Sequence, residues 1–208
     1  MTIPRAPQIE STPDGREQRS ERSRGAIIQA LFHLVGSAVL QPPAQQVAAS
    51  ARVGIRTVFR HFSDTESLCA AMAARVQAEA MPLLQTHEPH GSRSQRARTL
   101  LEQRVDFFER IAPYKRSGNL QRVRSPFIGG QHRTLVRTLR ADLLRWLPEL
   151  RRVPASFVEV LDVALSFEAW ERLRTDQCLS RERGLEAVEC TVRTLLGVPD
   201  PRKGEVSS

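Results

Sequence analysis

The sequence contains few cysteines and no long hydrophobic run. Its three cysteines, Cys69, Cys178 and Cys190, are widely spaced, which indicates reduced thiols rather than a disulfide framework or a zinc site. No apolar run approaches the roughly eighteen residues of a membrane-spanning helix, and residues 1–24 lack the apolar segment of a signal peptide. With 40% apolar residues, the 208-residue chain is predicted to be a cytoplasmic protein with a buried core.

The motifs of common catalytic and nucleotide-binding sites are also absent. The sequence contains no G-x-S-x-G, H-E-x-x-H, G-x-x-x-x-G-K or G-x-G-x-x-G. His87 and His90 have the spacing of metal ligands on a helix, but Pro89 lies between them and the pattern lacks a third ligand. We therefore predict a protein that is not an enzyme and that uses neither a metal nor a cofactor.

Two short apolar segments between Val47 and Leu68 indicate a helix-turn-helix. Only residues 52–54 separate the segments, a gap that permits little more than a tight turn between two helices. The apolar residues at helical spacing are Val47, Ala48 and Ala51 in the first segment and Val58, Phe59 and Phe62 in the second. We expect each set to form one buried face.

The outward face of the second segment is suited to a polyanion, because it carries two guanidinium groups and no carboxylate. Its residues are Ile55, Arg56, Thr57, Arg60 and His61. The net charge of +8 does not locate this surface. Residues 1–80 have nine arginines against seven acidic residues, whereas residues 110–152 have eleven basic residues against two acidic ones. Only the local set of Arg52, Arg56 and Arg60 identifies the predicted interface.

The same region resembles the DNA-binding signature of the tetracycline-repressor (TetR) family, IA-x-x-AGVS-x-x-TLY-x-HF-x-x-KE-x-L. The matching residues are Val47-Ala48, Ala51-x-Val53, Thr57-Val58-Phe59-x-His61-Phe62 and Glu66-x-Leu68. At four positions the chain differs, with Arg52 for Gly, Gly54 for Ser, Phe59 for Tyr and Thr65 for Lys. The resemblance implies a homodimeric transcriptional regulator, most often a repressor, that binds a palindromic operator in double-stranded DNA and responds to an unidentified small-molecule effector.

The resemblance also implies roles for individual residues. Ile55, Arg56 and Arg60 take the positions that read base edges, whereas phosphate contacts are implied for Gln45, Thr57, Phe59, His61 and Thr65. Phe59 and Thr65 lack the hydroxyl and the ammonium group that such contacts use, so we interpret Phe59 as a core residue. Arg52 should carry backbone strain where the family has glycine, unless Gly54 takes the strained position.

Breaking residues and helical spacing define the expected domains. We predict a mobile tail over 1–18, a DNA-binding domain over 19–83, a loop over 84–93, a ligand-binding and dimerisation domain over 94–197, and a tail over 198–208. Ser63 and Glu66 form an S-x-x-E capping box that predicts the start of the fourth helix. The predicted class is all-α, because no alternating strand pattern occurs.

In the larger predicted domain, the helix that contains Leu100 and Ile111 should end before Pro113. A single helix is predicted from about Pro154 to Asp176, and a last helix over 180–196. Both have apolar residues on more than one face, which suits a central core helix or, as the resemblance implies, a dimer interface. The predicted interface residues are Phe157, Leu161, Leu165, Leu185, Val188 and Val192.

An effector pocket is expected among aromatic residues of the middle helices, although such residues at helical spacing commonly form a core. They are Phe107, Phe108, Tyr114, Trp146, Phe167 and Trp170. Two alternatives to a regulator stay open. One is a helical ligand- or partner-binding protein whose helix-turn-helix no longer reads DNA. The other is an all-α lyase or cyclase, for which Asp106 and Glu109 are too isolated a carboxylate pair.

Overall fold

The computed structural model describes residues 15–123 and 125–197, which form helices and connecting turns without strands. The predicted all-α class is confirmed. The chain divides into two compact units, Met1–Leu68 and Cys69–Ser208. This division falls within a helix and not in the predicted loop over 84–93. None of the described helices is both long enough and apolar enough to cross a membrane.

The smaller unit is built from α1 (Gly15–Gly36), α2 (Ala44–Ser50), α3 (Ile55–His61) and the start of α4 (Thr65–Ala80). The first three helices pack on one another around an apolar core. Its largest buried side chains include those of Ile27, Leu31, Val35, Val47, Val58 and Phe62. Because α1 begins at Gly15, the predicted tail is wrong for residues 15–18, and the rest of that tail lies outside the described residues.

The fourth helix does not begin with the predicted capping box. Asp64 is the capping residue, because its Oδ1 accepts a hydrogen bond from the backbone N–H of Ser67 at 2.7 Å. The hydroxyl of Ser63 donates to the other carboxylate oxygen at 3.0 Å, so Ser63 supports the cap and does not form it. The bond from the Ser67 backbone, together with that from Ser63, lowers the pKa of Asp64.

The larger unit contains the rest of α4 and five further helices. These are α5 (Arg93–Gln121), α6 (Pro126–Trp146), α7 (Ala155–Ala164), α8 (Phe167–Glu171) and α9 (Arg181–Leu196). Single turns of 3₁₀-helix occupy Met81–Gln85 and Pro148–Arg152, and a π-helical turn follows α8 at Arg172–Asp176. The predicted last helix is present, with Ser180 as its N-cap and Gly197 in the left-handed conformation at its end.

Two predicted helix boundaries in the larger unit are wrong. Pro113 lies inside α5 and does not end it, because Ile111 and Ser117 on either side of it are buried and tertiary packing outweighs one lost backbone bond. The predicted helix over 154–176 breaks after Leu165. There Ser166 caps α8, since its hydroxyl accepts a hydrogen bond from the N–H of Ala169 at 3.1 Å.

A buried arginine stabilises this break between α7 and α8. The Arg104 guanidinium donates a hydrogen bond to the carbonyl of Leu165 at 3.1 Å and another to the carbonyl of Leu139. Asp142 is 4.0 Å from its Nε atom. Burial lowers the pKa of Arg104 to about 10, so the side chain stays charged at neutral pH. A cation in the core thus binds backbone carbonyls of two other segments.

Candidate nucleic-acid interface and ligand cavity

The turn between α2 and α3 places its strain on Arg52. Arg52 has a φ of 54°, in the left-handed region, whereas Gly54 has a φ of −70° and begins α3 as its N-cap. Glycine therefore does not take the strained position in this turn. The left-handed conformation costs a non-glycine residue about 1–2 kcal/mol. The turn is nevertheless closed by backbone bonds, including that from Val53 N–H to the carbonyl of Ala48 at 3.0 Å.

The outward face of α3 is formed by residues that the sequence predicted, with one correction. Val58 and Phe62 are buried, and they orient the short helix against the rest of its unit. Phe59 is 58% exposed, so its interpretation as a core residue is wrong. The physical reason is that successive helical residues are separated by about 100°, and two buried residues already fill the inward stripe. Phe59 therefore lies on the outward face.

The cations of this face are available for binding. Arg56 and Arg60 are exposed and lie one helical turn apart, and no carboxylate in the described ranges is within 4.0 Å of either guanidinium. Thr57 and His61 are half-buried, and the Nε2 atom of His61 is buried without a hydrogen-bond partner among the described residues. An exposed helix face with free guanidinium groups can bind phosphates or base edges.

The other predicted DNA-binding residues lie on neighbouring elements of the same unit. Gln45 is the second residue of α2, and Thr65 is the first residue of α4. Both are exposed. Ile55, the first residue of α3, is also exposed. All three side chains are therefore exposed to solvent. Six of the eight predicted residues, including Ile55, lie on α3, and the other two are Gln45 and Thr65.

The larger unit has a partly open cavity of about 180 Å³ between α4, α5 and α6. Most of its wall is apolar, and its polar lining residues lie mainly on α5 and α6. Apolar lining residues include Met72, Val76, Phe107, Ile111, Ile128 and Leu135. Cys69 also lines the cavity, and its thiol donates to the side-chain oxygen of Gln121 at 3.6 Å.

Two of the six aromatic residues predicted for an effector pocket line this cavity, namely Phe107 and Tyr114. For the other four the expectation needs correction, because Phe108, Trp146, Phe167 and Trp170 belong to the apolar core. Phe167 also borders a separate cavity of about 30 Å³. Aromatic spacing alone does not distinguish a pocket wall from a core, since both require burial.

The sequence interpretation missed the charged group at the polar end of the cavity. Lys115 Nζ lies 2.6 Å from His132 Nδ1 and 3.4 Å from Glu168 Oε1, and it stands 5.6 Å from the centre of the Phe167 ring. Burial lowers the pKa of Lys115 and, together with the neighbouring ammonium, that of His132. A usable signal was present, because Lys115 is one of only two lysines in an arginine-rich chain.

The predicted dimer-interface residues are mainly core residues of a single chain. Leu161, Leu165, Val188 and Val192 are buried, whereas Phe157 and Leu185 are partly buried and pack against the same core. The apolar residues of α7 that remain open to solvent are Val160 and Val163, which are 55% and 69% exposed. The two apolar stripes of α7 thus correspond to one face that packs on the core and one face that is exposed to solvent.

Two further observations concern metal binding. The described residues contain no cluster of three or more His, Cys, Asp or Glu side chains that could hold a metal ion. His87 and His90 are both exposed, and His90 Nδ1 is 2.8 Å from the backbone carbonyl of Glu88.

Comparison with protein-family models and with curated proteins gave no match. Solved structures of similar fold were found. A transcriptional regulator from Rhodococcus sp. RHA1 has 18% identity and a TM-score of 0.65 over 88% of this chain and 99% of its own. A TetR-family regulator from Streptomyces coelicolor has 17% identity and a TM-score of 0.63 over 86% and 82%.

The TetR-like regulator LfrR from Mycobacterium smegmatis, solved in complex with proflavine, has 19% identity and a TM-score of 0.54 over 88% of this chain and 98% of its own. The resemblance found in twenty-two residues of sequence therefore extends to the fold of most of the chain. The chain has the fold of TetR-family transcriptional regulators.

Proposed function

We propose that the protein is a DNA-binding transcriptional regulator, a repressor that a small-molecule effector releases from its operator. The observation that carries the proposal is the outward face of α3, where Arg56 and Arg60 are exposed, one turn apart and free of carboxylate partners within the described chain. The fold shared with transcriptional regulators supports it. Nothing in the fold requires that the protein be an enzyme.

In this proposal, α3 enters the major groove of the operator. Arg56 and Arg60 each donate two hydrogen bonds to O6 and N7 of a guanine. Phe59 and Ile55, which lie beside them, contact thymine methyl groups, because apolar side chains recognise that methyl. Phosphate contacts are assigned to exposed or half-buried polar residues, and they orient the helix without reading sequence. These residues are Gln45, Thr57, His61 and Thr65.

We further propose that the regulator is a homodimer and binds a palindromic operator, with half-sites one helical turn or a multiple apart. The outer face of α7, with Val160 and Val163 exposed, supports this arrangement. Replacing both valines with aspartate should convert a dimer to a monomer in sedimentation experiments without unfolding it. A parent protein that is already monomeric at micromolar concentration would contradict the dimer.

The effector site in this proposal is the cavity between α4, α5 and α6. Thr65 at the start of α4 belongs to the smaller unit, whereas Met72 and Val76 later in the same helix line the cavity. A ligand that displaces these two side chains acts on the helix to which the helix-turn-helix is directly joined. Continuity of α4 gives ligand binding a physical path to the DNA-binding residues.

The test of DNA reading is the affinity for a selected operator and for a scrambled duplex, measured across a salt series. Arg56→Ala and Arg60→Ala should each cost about 1–3 kcal/mol on the operator and relax preference at one base pair per half-site. Thr57→Ala should weaken binding to both duplexes alike.

The matched control for these variants is Arg137→Ala, which removes the same charge from an exposed position of α6 in the other unit. It should leave the preference for the operator unchanged. Equal binding of the parent to both duplexes at physiological salt would instead favour the alternative, a helical ligand- or partner-binding protein. The left-handed Arg52 and the exposed Phe59, both departures from the signature, are the observations that keep that alternative open.

A further inference from the structure

The charges that face the cavity are all of one sign. Among its described lining residues are the cations Lys115 and Arg122, and this described lining includes no aspartate or glutamate. Tyr114 and Asn119 on α5 and Gln131 on α6 add neutral polar groups. A ligand cation placed here would have no carboxylate to pair with, and desolvating it would not be offset. The lining therefore favours an anion.

Lys115 is placed to bind that anion directly. Its side chain is only 11% exposed, and its Nζ atom lies 5.6 Å from the centre of the Phe167 ring. An ammonium group has three N–H donors. One is directed at His132 Nδ1 and a second at Glu168, whose side chain is 49% exposed and lines only the smaller cavity. A third donor has no oxygen or nitrogen acceptor among the described residues, so the ammonium group, which borders both cavities, can bind another oxygen.

The size and walls of the cavity suit a small apolar group on the ligand. A buried apolar cavity of about 150 Å³ holds one benzene molecule in a well-studied engineered protein. At about 180 Å³, this cavity accommodates a single ring with one small substituent. Phe107 and Ile111 from α5 and Leu135 from α6 provide apolar surface for the two faces of such a ring.

We propose that the cavity binds a small aromatic carboxylate, with its ring among these apolar side chains and its carboxylate on the ammonium group of Lys115. The inference rests on the proposed function, in which this cavity is the effector site. The carboxylate supplies the acceptor that the third N–H of Lys115 lacks, and it replaces hydration that burial removes from the cation. Asn119 and Gln131 are the neighbouring donors for its second oxygen.

The test uses three probes of nearly equal shape and different charge, namely benzoate, benzamide and benzamidine, titrated into the full-length protein by calorimetry. Benzoate should bind about 10- to 100-fold more tightly than benzamide, the range expected for a hydrogen bond to a charged group. Benzamidine, the cation, should show no binding. Benzamidine or benzamide binding as tightly as benzoate would overturn the proposal.

Two variants separate the charge from the apolar walls. Lys115→Met should lower the affinity for benzoate to that for benzamide and leave benzamide binding unchanged, whereas Arg137→Met, outside the cavity lining, should alter neither. Ala73→Leu should fill the cavity and abolish binding of both probes while Lys115 is retained. If Lys115→Met kept the parent affinity for benzoate, the assigned anchor would be wrong. Should Lys115→Met fail to fold, unchanged benzoate binding by Ala73→Leu would still overturn the site.

Calorimetry without DNA keeps this inference separate from the proposed function. Benzoate binding by a protein that shows no operator preference would support the ligand assignment and contradict the regulator. Operator-specific binding by a protein that binds none of the three probes would support the regulator and contradict the ligand assignment. Release of the operator on addition of benzoate, and not of benzamidine, would support both.

Discussion

The arginines of the two units have different partners. In the smaller unit, Arg56 and Arg60 point to solvent without a carboxylate neighbour among the described residues. In the larger unit, many arginines are bound by carboxylates, as in the pairs Arg96–Glu149 at 2.8 Å, Arg116–Glu171 at 2.6 Å and Arg174–Glu109 at 2.8 Å. The proposed DNA-binding face is thus distinguished by two neighbouring cations on one short helix that remain unpaired among the described residues. The amount of positive charge is a poor guide, because residues 110–152 carry the larger excess.

The cores of the two units also differ, in their content of polar side chains. The buried side chains of the smaller unit are apolar, whereas the larger unit buries Gln103, Arg104 and Ser117 among its apolar residues. Arginine therefore has two opposite uses in one chain. On α3 it is exposed and available to a ligand, and in the larger unit Arg104 holds carbonyl groups of its own chain.

The largest expected effect on stability comes from replacing this buried arginine. Arg104→Met should lower the free energy of unfolding of the larger unit by about 3–5 kcal/mol, because it leaves buried carbonyls without their donor and removes one of the two cations near Asp142. Arg56→Met, on an exposed face, should change it by less than about 0.5 kcal/mol. Urea unfolding followed by tryptophan fluorescence measures this unit selectively, since Trp146 and Trp170 are the only two tryptophans. Equal midpoints for the two variants would contradict the distinction.

A smaller effect of opposite sign is expected in the turn before α3. Arg52→Gly should stabilise the smaller unit by about 1 kcal/mol, because glycine adopts the left-handed conformation without strain. The matched change is Gly54→Ala, at a position with an ordinary φ and with no atom nearer than 4.0 Å to the added Cβ. It should be tolerated. Thermal unfolding followed by helical circular dichroism tests both, and destabilisation by Arg52→Gly would refute the assignment of strain.

The smallest effect concerns the start of α4. Asp64→Ala should lower the melting temperature by more than Ser63→Ala, because the Asp64 carboxylate caps the helix directly. Since the folded-state pKa of Asp64 is lowered, its contribution is present above the ordinary value of 3.8 and is lost as the pH falls through the lowered one. Melting curves of the parent and Asp64→Ala should therefore converge as the pH falls from 3.8 through the lowered pKa and should coincide below it. A difference that persists there would exclude the charged cap.

Features set by local sequence were predictable. The helix-turn-helix signature lies within twenty-two residues, and its turn and outward arginines were read from spacing. Its buried stripe was read correctly for Val58 and Phe62 and wrongly for Phe59. The same holds for the ends of α9, where Ser180 and Gly197 are standard caps. A capping box does occur elsewhere, at Ser92 and Gln95 before α5, where the sequence interpretation placed only a loop. Its S-x-x-Q pattern was available in the sequence.

Features set by distant contacts were not predictable. The break after Leu165 depends on Arg104, sixty-one residues earlier in the chain. Apolar faces on one segment do not tell burial within a subunit from burial between subunits, so Leu161 and Val188 were assigned to an interface although they are core residues. The cavity depends on the packing of three helices, and its charged end involves Lys115 on α5 and His132 on α6.

The half-buried thiol in the cavity wall gives the protein a chemical reporter of its own. Cys69 lines the cavity, whereas Cys178 and Cys190 are exposed. A variant with serine at the two exposed positions retains a single thiol, and a ring bound in the cavity would cover it. The rate at which an alkylating reagent modifies that thiol then measures cavity occupancy, with or without DNA present, and needs neither a fluorescent ligand nor an engineered label.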